Sequence, residues 1–143
     1  MVRTRMAARP HLHFAAALAF ALAVAALGAC ASGSATIPAD LGYEELVQRA
    51  QEASDAYRYA AALDYYGAAL ERFGSNPAVE VACDYEIAFL QYKMGDYVES
   101  ATGLQAVIDR YDAPDGSTLP PQYRVLAAKV LPQVLEHVAG GGE

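Results

Sequence analysis

Within residues 40–138 the chain repeats itself at a fixed offset of 38 residues, and this restricts its fold more than any other feature. Tyr59, Leu63, Tyr66, Ala69, Leu70 and Phe73 recur as Tyr97, Ala101, Leu104, Val107, Ile108 and Tyr111. Leu70-Glu71-Arg72-Phe73 becomes Ile108-Asp109-Arg110-Tyr111, a conservative copy at four consecutive positions. The same offset relates Val47 to Tyr85 and Tyr123, and Ala50 to Ala88 and Leu126. An offset shared by two elements and carried into a third copy indicates stacked supersecondary units, each unable to bury its apolar face alone.

Inside a unit, Tyr97, Ala101, Leu104, Ile108 and Tyr111 fall at i, i+4, i+7, i+11 and i+14, one face of an α-helix. Asn76 is placed to cap a helix that has Pro77 in its first turn, where a missing N–H costs nothing. Gly95 breaks the pattern, and Asp96 with Glu99 has the spacing of a capping box. Pro120 and Pro121 open the last segment. These signals predict five helices at about 40–57, 59–73, 77–94, 96–111 and 120–138, with no strand. The third carries two apolar stripes. Cys83, Ile87, Leu90 and Met94 form one; Val81, Tyr85, Ala88, Phe89 and Tyr92 form the other. A helix apolar on two sides is packed on two sides, as an interior helix of a solenoid is. Pro132 is expected to kink or split the last helix. Residues 139–143, rich in glycine, are expected to form a disordered tail.

Residues 1–29 read differently. Arg3, Arg5 and Arg9 precede an uncharged apolar run, Phe14 to Leu27, and small residues then lead into Cys30. That order is a secretory signal peptide, too short for the ~20 residues of a membrane span. Leu27-Gly28-Ala29-Cys30 resembles the lipobox of bacterial lipoproteins. The resemblance implies cleavage before Cys30, lipidation of that residue, and anchoring through the lipid to a membrane facing the periplasm. Ala31 stands where enteric-type sorting places an Asp to retain a lipoprotein in the inner membrane, so by the same resemblance the outer membrane is favoured. Residues 30–39 would then be a lipidated cysteine and flexible tether.

After residue 29, seven basic residues face seventeen acidic ones, a net charge of −10. So acidic a domain repels phosphate backbones, which argues against nucleic acid as a partner. With Cys30 acylated, Cys83 has no partner in the chain and reads as a small core residue. His11 and His13 lie in the signal segment, leaving His137 near the C-terminus. No catalytic triad, Gly-rich phosphate loop or metal-ligand spacing is present. Glu44 and Glu45 sit in a first helical turn, where carboxylates favour the helix dipole. The chain therefore reads as non-enzymatic, with neither cofactor nor metal.

The second unit, with Gly95-Asp96-Tyr97 at its turn, resembles a tetratricopeptide repeat. Ala50 and Ala88 match the small residue of that family's first helix; Ala62 and Ala69 match those of the second helix in the first unit. The period is 38 rather than about 34. Ser100 and Val107 stand where alanines are expected, and Tyr57-Arg58 stands where Gly-Asp is. The longer period is similar to an envelope subgroup that includes a lipoprotein of the outer-membrane β-barrel assembly machinery and periplasmic Tol-system coordinators. The resemblance implies an all-α, tetratricopeptide-like α-α solenoid of about two and a half repeats. It also implies a concave groove lined by the first helix of each unit, here Val47, Gln51, Ser54 and Asp55, then Tyr85, Phe89, Tyr92 and Lys93. Tyr85, Phe89 and Tyr92 form an aromatic strip suited to anchoring a protein segment. Alternatively, the rings pack against the first and last helices as core. The implied role is a protein–protein interaction or scaffolding module for another envelope protein. The alternative is an accessory of a solute-transport system, or a binder of a small apolar ligand in the same groove.

Overall fold

The computed structural model describes residues 36–141. These form five helices: α1 Tyr43–Asp55, α2 Tyr59–Phe73, α3 Pro77–Met94, α4 Tyr97–Arg110 and α5 Gln122–Gly140. A 3-10 turn at Gly116–Thr118 precedes the last of them. No strand occurs among the described residues. Each helix packs on the next, and α3 also meets α5, so consecutive helical hairpins stack as an α-α solenoid. The described residues make up one compact unit that contains both cores.

The ends of α3 follow from its sequence. Asn76 Oδ1 accepts from the Ala78 N–H at 3.0 Å, and Pro77 occupies the first turn. Gly95 ends the helix at φ 88°, a left-handed conformation natural to glycine. The corresponding turn of the first hairpin places Tyr57 at φ 58°, where a side chain is strained. Asp96 makes no side-chain cap, so the capping box expected from Asp96 and Glu99 does not form. Between α1 and its preceding turn, Glu45 reaches back to the Gly42 N–H at 3.4 Å.

Two cores flank α3. The first gathers Leu46, Ala50 and Ala53 of α1, Ala62, Tyr66, Ala68 and Ala69 of α2, and Cys83 and Leu90 of α3. The second gathers Val81, Tyr85 and Ala88 of α3, Leu104 and Val107 of α4, and Ala127 and Val134 of α5. The two stripes thus serve two neighbours, as an interior helix requires. Met94, expected in the first stripe, is exposed at the end of its helix. Where α3 and α4 cross, a methyl on Gly103 would come within 2.8 Å of Ala88 Cβ, so the two small residues set the approach.

The 38-residue offset appears as equal burial. Ala50 and Ala88 are both buried, as are Ala62 and Ser100, Tyr66 and Leu104, and Ala69 and Val107. Arg72 and Arg110, also related by 38, both fasten a neighbouring segment. Arg72 donates to the Pro38 carbonyl at 2.9 Å. Arg110 pairs in bidentate fashion with Asp115 at 2.7 and 2.8 Å and lies 3.8 Å from Glu80. That hydrogen-bonded pairing pulls the Asp115 carboxyl down to about 2.

The third copy departs from the offset. Leu126 is exposed, and α5 instead turns Ala127 and Val134 inward. The segment 111–121, with its 3-10 turn, delays the start of α5 and shifts its register. The last helix is not split at Pro132 but continues to Gly140, two residues beyond the expected end at 138. Ile37 packs on the first core and Pro38 is held by Arg72, so the end of the expected tether lies on the domain. Cys30 and the signal segment lie outside the described residues.

Ser100 tests the repeat directly. Its hydroxyl is fully buried without a hydrogen-bond partner where the first unit has Ala62. Ser100→Ala should raise the melting temperature, because it removes an unsatisfied polar group at little cost in volume. Leu104→Ala should instead cost on the order of 2–5 kcal/mol, and Leu126→Ala less than about 0.5 kcal/mol. Thermal melts of the three variants check this ordering.

Candidate functional site

The first helices of the hairpins, α1, α3 and α5, share one face of the stack, and the sequence-predicted residues are divided across it. Tyr85 is 5% exposed and belongs to the second core. Its ring stacks on Phe89 at 5.9 Å and lies 5.7 Å from Tyr123 of α5. Tyr85 is therefore a packing residue, because α5 closes over it, and not an exposed anchor. Phe89 and Tyr92 are half-buried against the same core. From Phe89 the rings continue to Tyr92 at 6.3 Å, and Tyr92 lies 6.0 Å from both Tyr97 and His137. His137, exposed as expected, also stacks on Tyr97 at 4.4 Å.

Lys93 is the element that joins α1 to α3 on this face. It is exposed, and its Nζ lies 4.9 Å from the Phe89 ring centroid, 5.7 Å from that of Tyr59 and 3.5 Å from Ser54 Oγ. An ammonium over two rings is held by their quadrupoles while its remaining donors face solvent. Gln51 and Asp55 of α1 are exposed, and among the described residues neither is joined to Lys93 by an ion pair or hydrogen bond.

Glu86 is the residue that sequence reasoning missed. It is half-buried on α3, three residues before Phe89 and seven before Lys93, so the three share a helical face. Burial pushes its carboxyl up, and Lys93 opposes that shift. The phenols of Tyr43, Tyr66, Tyr85 and Tyr123 are all raised, by burial first, with the charge of Glu86 contributing to each. The charge of Glu86 is thus felt by tyrosines of four helices. The signal that could have found it is the helical line Glu86, Phe89, Lys93, one step around from the strip Tyr85, Phe89, Tyr92. Cys83, in the first core, is a free thiol pushed up to about 11 by burial, and its chemistry is that of a small apolar side chain.

Neither Phe89 nor Lys93 lines any of four surface grooves of about 360–540 Å³ among the described residues. One lies between α3 and α4, lined by Ile87, Ala88, Val98, Thr102, Gly103 and Ala106. Among the described residues, no group of three or more His, Cys, Asp or Glu could hold a metal ion. No described helix is long and apolar enough to cross a membrane.

No protein-family model matches the chain, and no solved structure matches it. The chain is similar to an uncharacterized protein of Treponema pallidum (strain Nichols), 30% identical over 119 residues. The match covers 82% of this chain and 48% of the relative, so the chain spans about half the length of that protein.

Glu86 gives the face a measurable property. A carboxyl whose folded value is raised binds its proton more tightly in the folded chain, so folding loses stability as pH rises from the unfolded value upward. Glu86→Gln should therefore raise the melting temperature at neutral pH. The gain should shrink to nothing below the unfolded value of 4.5. Melts of both proteins across that range check the sign.

Proposed function

We propose that this chain is a lipid-anchored envelope protein whose α1–α3–α5 face acts as an interaction or scaffolding module for another envelope protein. The observation that carries the reading is the open character of the face. Phe89 and Tyr92 are half-buried rather than sealed, and the line ends at exposed Lys93 beside Ser54 and Tyr59. An enclosed apolar pocket at Phe89 would favour a small ligand; an open, partly aromatic line with a fixed cation suits an extended segment of a protein. The repeat supports the same reading, since stacked hairpins present an extended surface along their axis. Anchoring through Cys30 rests on the basic, apolar and small segments before it. In this reading the acidic domain is held to the membrane by acyl chains, not by attraction to anionic lipid.

Two variants test the reading. Cys30→Ser should abolish incorporation of labelled fatty acid and release the protein from the membrane fraction; label retained by that variant contradicts the lipobox. Lys93→Glu removes the cation over two rings and should cost about 1–2 kcal/mol, leaving the domain folded. It should nevertheless reduce the yield of products formed in the native envelope by a photocrosslinker placed at Gln51. Crosslinking unchanged by Lys93→Glu contradicts the face as the binding surface. Phe89→Ser is the poorer probe, because its ring packs on the second core, and its truncation should cost on the order of 1–3 kcal/mol.

A further inference from the structure

The outer side of α5 has no covering element among the described residues, yet it is largely apolar. Val125, Ala128, Pro132, Leu135 and Ala139 fall at i, i+3, i+7, i+10 and i+14, the spacing of a coiled-coil seam. All five are exposed, Val125 by 67% and Leu135 by 48%. The core-facing side of the same helix is separate, built on Tyr123, Ala127, Val130 and Val134. Along one flank of the seam run Lys129 and Glu136, both exposed and without an ion pair among the described residues.

The pattern of charge says what covers this face. We infer that it pairs with α5 of a second copy of the chain, antiparallel, about a two-fold axis near Pro132 and Gln133. In that register Lys129 meets Glu136 of the second copy and Glu136 meets its Lys129, so one pair of residues gives two equivalent interchain contacts. A parallel pairing would set lysine against lysine and glutamate against glutamate. A two-fold contact uses the same patch on both subunits, which requires such self-complementarity. Ala128, Pro132 and Ala139 on the seam are small or compact and let the two backbones approach. Overall charge favours this place as well. α5 carries Arg124 and Lys129 against Glu136, whereas each of the other four helices is net acidic. Two acidic bodies therefore meet through the one described helix that is not itself acidic. This contact is distinct from the α1–α3–α5 face and does not depend on its role.

Sedimentation velocity on residues 36–141, the compact unit that carries both cores, tests the pairing at micromolar to sub-millimolar concentrations. The wild type should be a concentration-dependent dimer. Lys129→Glu should weaken dimerisation by about tenfold or more, because both interchain pairs become repulsive. Adding Glu136→Lys to that variant should restore the dimer, since the swapped charges pair again. All three proteins should keep the wild-type far-ultraviolet circular dichroism, because both positions are exposed. A wild type that stays monomeric throughout overturns the inference, as does a dimer indifferent to Lys129→Glu or one not restored by the double exchange.

Discussion

The structure depends on α3 being apolar on two opposite sides. Cys83 and Leu90 enter one core while Val81, Tyr85 and Ala88 enter the other, and among the described helices only α3 supplies buried residues to both. Each hairpin alone would leave an apolar face in water. Burial against α3 removes both faces at once, at roughly 25 cal/mol for each Å² of apolar surface. The rest of the architecture follows from that sharing. Small residues, Ala88 against Gly103, let α3 approach α4 closely. The paired arginines Arg72 and Arg110 fasten segments at equivalent places on the two hairpins.

The same constraint decides which aromatic residues are free. Tyr85 looks outward in a chain of two and a half repeats, but α5 brings Tyr123 over it and makes it core. One step around α3, along the line Glu86, Phe89 and Lys93, the first two are covered only in part and Lys93 is exposed. Packing therefore takes Tyr85 into the interior and leaves Lys93 exposed, with Phe89 and Glu86 half-buried beside it. Such a line suits recognition of a segment better than sealed ligand storage, the basis on which an interaction role is proposed.

Much of the fold is legible in the sequence because periodicity reports burial directly. The helices around Asn76-Pro77 and Gly95 begin and end where capping and left-handed glycine dictate, and the offset of 38 predicts pairs such as Tyr66 and Leu104 that are buried alike. The third copy is where the reading weakens. The offset cannot register that residues 111–121 delay α5, so Leu126 points outward and Ala127 inward. The Asp96–Glu99 spacing is right for a box, yet the Asp96 side chain does not turn back onto the helix. The site is half legible. Lys93 and Phe89 are where the helical register puts them. Glu86 stays hidden because a lone glutamate on a helix reads as a solvated residue until the tyrosines that feel its charge are located in space.

Native-state hydrogen exchange of α3 amides tests the central claim most directly, with one variant weakening each core. Leu46→Ala opens the first and Leu104→Ala the second. If α3 couples the two, its amides are the slowest to exchange, and either substitution lowers their protection by the full loss of stability measured for that variant. Protection of α3 left unchanged by one of the two substitutions would contradict the account, because that core would then fold independently of the helix said to join them.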